Sequence, residues 1–347
     1  MKDFKYIFAY TGPLLMFLGL KWGGLWSFAL IAEAFILLPL LESFLPIHTE
    51  NTPEHKEEKR SNLFIFDFLL YIHVPIVIGM VGLYLHTIMK VPLATYELTG
   101  LTIGMGVFLG TFGINIAHEL GHRDKWYELL MARLLLLPNL YLHFTHEHNL
   151  GHHKNVATPK DPSTARFGEM IYTFLLRSSF GVYMEAWNLE TRRLKRMDLP
   201  TFHWKNMMIW FQFVQISYLL LVGIFFGWSA IPYAIAIGIG GIFLLESVNY
   251  IEHYGLLRNQ LPSGRYEPVK PHHSWNSGHS LGRIFLFELT RHSDHHYKAN
   301  RKYQILRHFK ESPQLPTGYP GSIILALVPP IWFSVMHKKL EIKDQRF

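Results

Sequence analysis

Long apolar runs alternate with polar stretches along this chain, and their lengths set the first reading. A helix needs about 20 predominantly apolar residues to cross a bilayer. Runs approaching or meeting that length fall at about 4–20, 23–46, 64–88, 97–119, 206–227 and 230–250. Gly23 and Gly24 turn the chain after Lys21, and a polar stretch from His48 to Asn62 separates the second run from the third. The pattern predicts an all-α polytopic integral membrane protein with about six transmembrane helices. No polar Pro/Gly-rich linker divides it, so residues 1–347 read as one membrane-embedded unit, with 120–205 and 251–347 lying outside the hydrocarbon. Two further apolar stretches are interrupted, Trp126 to Leu142 by Pro138 and Ile323 to Val335 by Pro329 and Pro330. Both are expected to pack against the bundle or lie at the interface.

Charge orients this arrangement. Of 33 Lys and Arg residues, 12 lie in 121–205 and 14 in 251–347, whereas the turns near 21 and 89–97 hold only Lys21 and Lys90. Six spans place the N-terminus, the 48–62 loop and both basic segments on one side, which the positive-inside rule makes cytoplasmic. The expected location is a bacterial inner membrane, with both termini and the charged segments cytoplasmic. The net charge of +7 is thereby accounted for without nucleic acid as a partner. Cysteine is absent, which excludes disulfides, thiolate ligands and a built-in iron–sulfur centre. Lys2 and Lys5 precede the first run as in a leader peptide, but the A-x-A sequence Ala32–Ala34 lies inside the second run, so no cleavage is expected.

Histidine changes the picture most. Of 21 histidines, seven fall within 118–153 and seven within 253–296. His118 and His122 are four residues apart at the end of the fourth run, so both imidazoles leave one helical face. His148, His152 and His153 repeat that spacing with an added neighbour, His292, His295 and His296 are spaced i, i+3, i+4, and His253 closes the sixth run. Nine imidazoles from four segments on one side of the membrane exceed what one ion takes and suit two. Imidazole serves iron, zinc, copper and nickel alike, so the residues alone do not name the metal.

Four carboxylates adjoin these histidines: Glu119, Glu147, Glu252 and Asp294. Metal-bound imidazoles commonly donate their second N–H to such groups, which gives these four a supporting role, with charge balancing as the plainer alternative. Glu33, Asp67 and Glu246 lie within apolar runs, where a carboxylate is costly, and Glu246 sits two turns before His253. A competing pattern is present. His118-Glu119-Leu120-Gly121-His122 matches the HExxH of zinc proteases, in which the glutamate activates water. An intramembrane protease of that kind would need a third ligand, usually from an Asp-Gly motif, and the chain contains no Asp-Gly. A metal transporter would hold its ligands at mid-membrane, not at span ends.

Three histidine boxes, HELGHR (118–123), EHNLGHH (147–153) and RHSDHH (291–296), resemble those of membrane-bound alkane 1-monooxygenases, within the membrane desaturase and hydroxylase superfamily. NYIEHYGLLR (249–258), VATPKDP (156–162), PHHSWNS (271–277) and PTGYPG (316–321) strengthen the resemblance, which runs from the second span to about residue 336. It implies that the nine histidines bind two non-haem irons and that O2 is a co-substrate. It further implies electrons from rubredoxin and its NAD(P)H-dependent reductase, and a medium-chain n-alkane, drawn from membrane lipid, that becomes a primary alcohol. A xylene-type methyl hydroxylase or a fatty-acyl desaturase remains the alternative on the same iron core. Substrate would reach the site between spans, past small residues such as Ala34, Gly104, Gly106, Gly110 and Gly113, for which close helix packing is the competing role. Arg192, Arg193, Lys195 and Arg196, or Lys298, Arg301 and Lys302, are candidate charges for docking an acidic electron donor.

Overall fold

A computed structural model describes residues 2–344, and it is helical with no extended sheet among those residues. The helices that matter here are α1 (residues 2–22), α2 (Gly24–Glu42), α3 (Phe64–Lys90), α4 (Thr95–Gly121), α5 (Trp126–Leu136) and α6 (residues 144–155). They continue with α7 (Ile171–Lys195), α8 (Met207–Phe226), α9 (Trp228–His253), α10 (His292–Tyr297), α11 (Tyr319–Ala326) and α12 (Pro329–Asp344).

Among the described residues, α2, α3, α4, α8 and α9 are long and apolar enough to cross a membrane. The first expected span is different. Lys5, Tyr6, Tyr10 and Thr11 make α1 too polar to rank with them, and Lys5 is drawn to the buried Glu288, 2.5 Å away. Tyr6 donates to the same carboxylate. A sixth apolar unit lies at the other end of the chain, where α11 and α12 meet at a 119° bend, so that pair is a broken or re-entrant segment. Pro329 and Pro330 explain the break, since each lacks the N–H that a continuous helix requires.

The bundle centres on α4, of which 83% is enclosed by protein, against 22% for α2 and α8. Small residues let α9 approach it. A Cβ on Gly106 would lie 3.0 Å from the Cα of Gly240, so neither helix tolerates a side chain at that crossing. Both α4 and α9 end at the same face of the bundle, and both carry histidine there. The α5 helix and the turn at Pro138 pack beneath α4 and α9, where Asn139 lies close to Gly113 and Gly241. Segments 144–167 and 254–315 close over that face.

Candidate metal centre

The nine histidines that the sequence grouped are gathered at this face in two sets. His118, His122, His148, His153 and His295 form one, and His152, His253, His292 and His296 the other, each set offering nitrogens within 4.8 Å of one another. The rings abut between sets, with His153 and His296 centroids 4.5 Å apart.

The partition follows from local winding. In a regular α-helix His148 and His152 would share a face. Here α6 is wound as a wider π turn over His148–His152, and the His153 N–H bonds back to the His148 carbonyl. The extra residue brings His148 and His153 into register and turns His152 towards the second set. In α10, His292 and His296 keep the i, i+4 relation in the second set, and His295 reaches the first. Spacing alone had paired His148 with His152; the π turn separates them.

The nitrogens converge. His148 Nε2 lies 2.8 Å from His118 Nε2 and 3.0 Å from His153 Nε2, which is 3.1 Å from His295 Nε2. His292 Nε2 lies 3.1 Å from His253 Nε2 and 2.8 Å from His296 Nε2. A neutral imidazole has one N–H and one lone pair, so a single hydrogen cannot satisfy so many contacts at one nitrogen. Buried Nε2 atoms of His122 and His152 have no hydrogen-bond partner among the described residues. Lone pairs aimed at a common point are what a cation satisfies, and the all-nitrogen donor set fits a borderline transition metal. Burial, and then repulsion between neighbouring rings, pushes His148, His153, His292, His295 and His296 well below the usual imidazole range. His122 is lowered to about 4, chiefly by burial. Neutral rings with free lone pairs are the form a metal requires.

A profile of the fatty acid desaturase family matches residues 92–323, which span every one of these histidines. Alkane 1-monooxygenase 2 of Pseudomonas aeruginosa is 38% identical over 333 residues, covering 93% of this chain and 86% of that protein. Alkane 1-monooxygenase 1 of Alcanivorax borkumensis is 40% identical over 304 residues, covering 88% and 75%. The chain belongs to the alkane 1-monooxygenase family. A xylene/toluene monooxygenase hydroxylase component of Pseudomonas putida is also similar, 29% identical over 340 residues, with 95% and 87% covered. This member of the alkane 1-monooxygenase family is therefore an oxidoreductase, a multi-pass membrane protein, and one that works with an electron-transfer partner.

In this alkane 1-monooxygenase relative the acidic residues divide by what they touch. Glu252 Oε2 lies 3.2 Å from His292 Nε2, while its Oε1 accepts the Tyr319 hydroxyl at 2.6 Å. Glu147 is buried beside Gly151, and burial followed by the nearby Asp161 and Glu246 raises it well above the carboxylate range. Glu119 and Asp294 turn away from the rings. Glu119 pairs with Arg123 at 2.6 Å and accepts the Tyr303 N–H, and Asp294 is held by Arg307 at 3.0 Å and Arg301 at 3.3 Å. Asp67 shares Arg123 and Lys302, so its burial is offset by ion pairing. Glu246 accepts hydrogen bonds from Ser178, Tyr141 and Asn249.

The carboxylate that sequence reasoning missed is Asp161. Its Oδ2 lies 2.9 Å from His152 Nδ1 and accepts the Thr164 hydroxyl at 2.6 Å, and its Oδ1 accepts the Ser163 N–H. Burial alone would raise this group. The facing His152 ring and the hydrogen bonds from His152 and Thr164 hold it below its ordinary value. The signal was present in VATPKDP, which had been noted as a motif and given no role.

A narrow apolar cavity between α2, α4, α9 and α11 approaches the centre. Asn115, Val248 and Tyr319 line the end nearest the histidines. Of the five small residues proposed for such a passage, Ala34 and Gly110 line it. Gly104, Gly106 and Gly113 sit instead at helix contacts, against Met16, Gly240 and Asn139. The candidate docking cations are largely engaged: Arg192 with Glu185, Arg193 with Glu190, Arg301 with Glu57 and Lys302 with Asp67.

Proposed function

We propose that this protein is a membrane-bound non-haem di-iron monooxygenase that hydroxylates the terminal methyl of medium-chain n-alkanes to primary alcohols. The observation that carries the reading is the convergence of nine imidazoles in sets of five and four, beyond the end of an apolar cavity that Asn115, Val248 and Tyr319 line. Each set would hold one iron, the first through His118, His122, His148, His153 and His295, the second through His152, His253, His292 and His296. Bound there, the irons supply the activation of dioxygen and the oxidation of an unactivated C–H bond.

The protein's own groups do the rest. Asp161 accepts the Nδ1 hydrogen of His152, which fixes the tautomer and leaves Nε2 free for metal. Tyr319 anchors Glu252 beside His292 from the cavity wall. An apolar cavity between spans takes alkane from lipid, excludes water and presents the chain end-on, so that the oxidant meets a methyl group and not a side chain. HExxH protease chemistry is disfavoured, because Glu119 is held by Arg123 and Tyr303, and its two histidines belong to a five-membered set.

Two one-electron deliveries per turnover must come from outside a chain with no cysteine, and rubredoxin with its NAD(P)H-dependent reductase is the proposed source. The histidine face is then cytoplasmic, in a bacterial inner membrane. The similarity to a xylene/toluene enzyme favours alkyl-aromatic methyl groups as the second reading. Elemental analysis of detergent-purified protein should find about two irons per chain, and n-alkane with rubredoxin and reductase should yield the 1-alkanol. One zinc without iron would overturn the reading. Turnover of xylene but not of alkane would select the second.

A further inference from the structure

Of Glu33, Asp67 and Glu246, the carboxylates that the sequence singled out within apolar runs, two are explained by their partners: Asp67 by its cations and Glu246 by three hydrogen-bond donors. Glu33 is not. It is 7% exposed and lines the apolar cavity on α2. Its depth can be read from the helices. Glu42, at the histidine end of α2, accepts the Gly282 N–H, and Glu33 lies nine residues earlier, about 14 Å along the axis. On α4 the cavity runs from Asn115 back to Val107, about 16 Å from His118. Glu33, Leu30 and Val107 therefore form the end remote from the metal centre.

The hydrogen bonding of Glu33 is incomplete in one direction only. The Thr11 hydroxyl lies 2.5 Å from Glu33 Oε1 and 2.7 Å from the Phe8 carbonyl, yet it has a single hydrogen. Both contacts are satisfied together when Thr11 donates to Phe8 and a protonated Glu33 donates to Thr11. Oε2 is then a carbonyl-type acceptor, and among the described residues it has no hydrogen-bond donor. An acceptor on the cavity wall without a protein donor gains a hydrogen bond when a ligand brings one, and the cavity is where that ligand would lie.

We propose that Glu33 is a specificity-determining residue that receives a hydroxyl at the remote end of the substrate, so that the enzyme also takes 1-alkanols and converts them to α,ω-diols. This rests on the hydroxylase reading above. The reaction is HO–(CH2)n–CH3 + O2 + 2 e− + 2 H+ → HO–(CH2)n–CH2OH + H2O. A C–H bond of the distal methyl breaks, a C–O bond forms, the second oxygen atom leaves as water, and the electron-transfer partner supplies both electrons. An acceptor-only terminus such as a methyl ether gains nothing from Oε2.

The test uses the full chain with its electron-donor system and length-matched n-alkanes, 1-alkanols and 1-methoxyalkanes. Wild type should form diols with a KM for the alcohol about tenfold below that for the ether, the worth of one buried hydrogen bond. Glu33→Leu should erase that preference, and Glu33→Gln, whose amide keeps both an acceptor and a donor, should restore it. Equal KM values in wild type, or a preference that survives Glu33→Leu, overturns the inference. Should Glu33→Leu fail to fold, the wild-type alcohol-to-ether comparison decides alone. Alkane turnover without alcohol preference removes this inference only, whereas no alkane turnover removes the hydroxylase reading with it.

Discussion

The two imidazole sets stand side by side and are built differently. The set of four is fully buried, and carboxylates reach it from two directions, Asp161 at His152 and Glu252 at His292. The set of five has more rings but a looser enclosure: His122 and His153 are only partly buried, and among the described residues no carboxylate contacts its imidazoles. One set draws on negative charge and a fixed tautomer, the other on an additional ring. An ion in the first environment gains electrostatic support. An ion in the second would rely on ligand number.

That contrast can be attacked at four points. Replacing a ring in either set, His152→Ala or His295→Ala, should abolish hydroxylation and deplete iron while the protein still fractionates with membranes. Full activity in either variant would sink the ligand assignment. Asp161→Asn keeps the shape and removes the charge facing His152, and metal competition should show iron affinity falling about tenfold. Glu252→Gln should cost less, a few-fold, because the Tyr319 hydroxyl can still be accepted by the amide oxygen. The smallest effect on iron is expected from Glu119→Gln beside the set of five. Its iron content should match wild type while thermal stability drops, since the variant leaves Arg123 short of a buried partner. If Glu119→Gln lost as much iron as Asp161→Asn, the two sets would not differ in the way described.

Much of this was legible in the sequence, and the failures share a cause. The expected spans at 64–88, 97–119, 206–227 and 230–250 coincide within a few residues with α3, α4, α8 and α9, because run length is a direct imprint of bilayer thickness. The residues expected to span first, 4–20, form a helix more polar than the other candidates, and its Lys5 and Tyr6 have distant partners at Glu288 that no local pattern shows. The nine histidines stood out by clustering. Their division into sets did not, since it depends on a π turn that side-chain spacing cannot signal. Glu119 and Asp294 were chosen for adjacency, but neighbours on a helix project about 100° apart, which carried both away from the rings. Asp161 reaches His152 through an irregular loop, where periodicity offers no guide.

Two helices, α6 and α10, each lend rings to both sets. Loading the two ion positions is therefore not a pair of independent events. An ion that settles in one set fixes the rotation of α6 and α10, and so orients three of the rings awaiting the other. Part of the ordering that the second ion would have required is then already complete, and the two binding free energies are coupled. The expected signature is cooperativity: at limiting iron, a population divided between empty and fully loaded molecules, with few that carry a single ion.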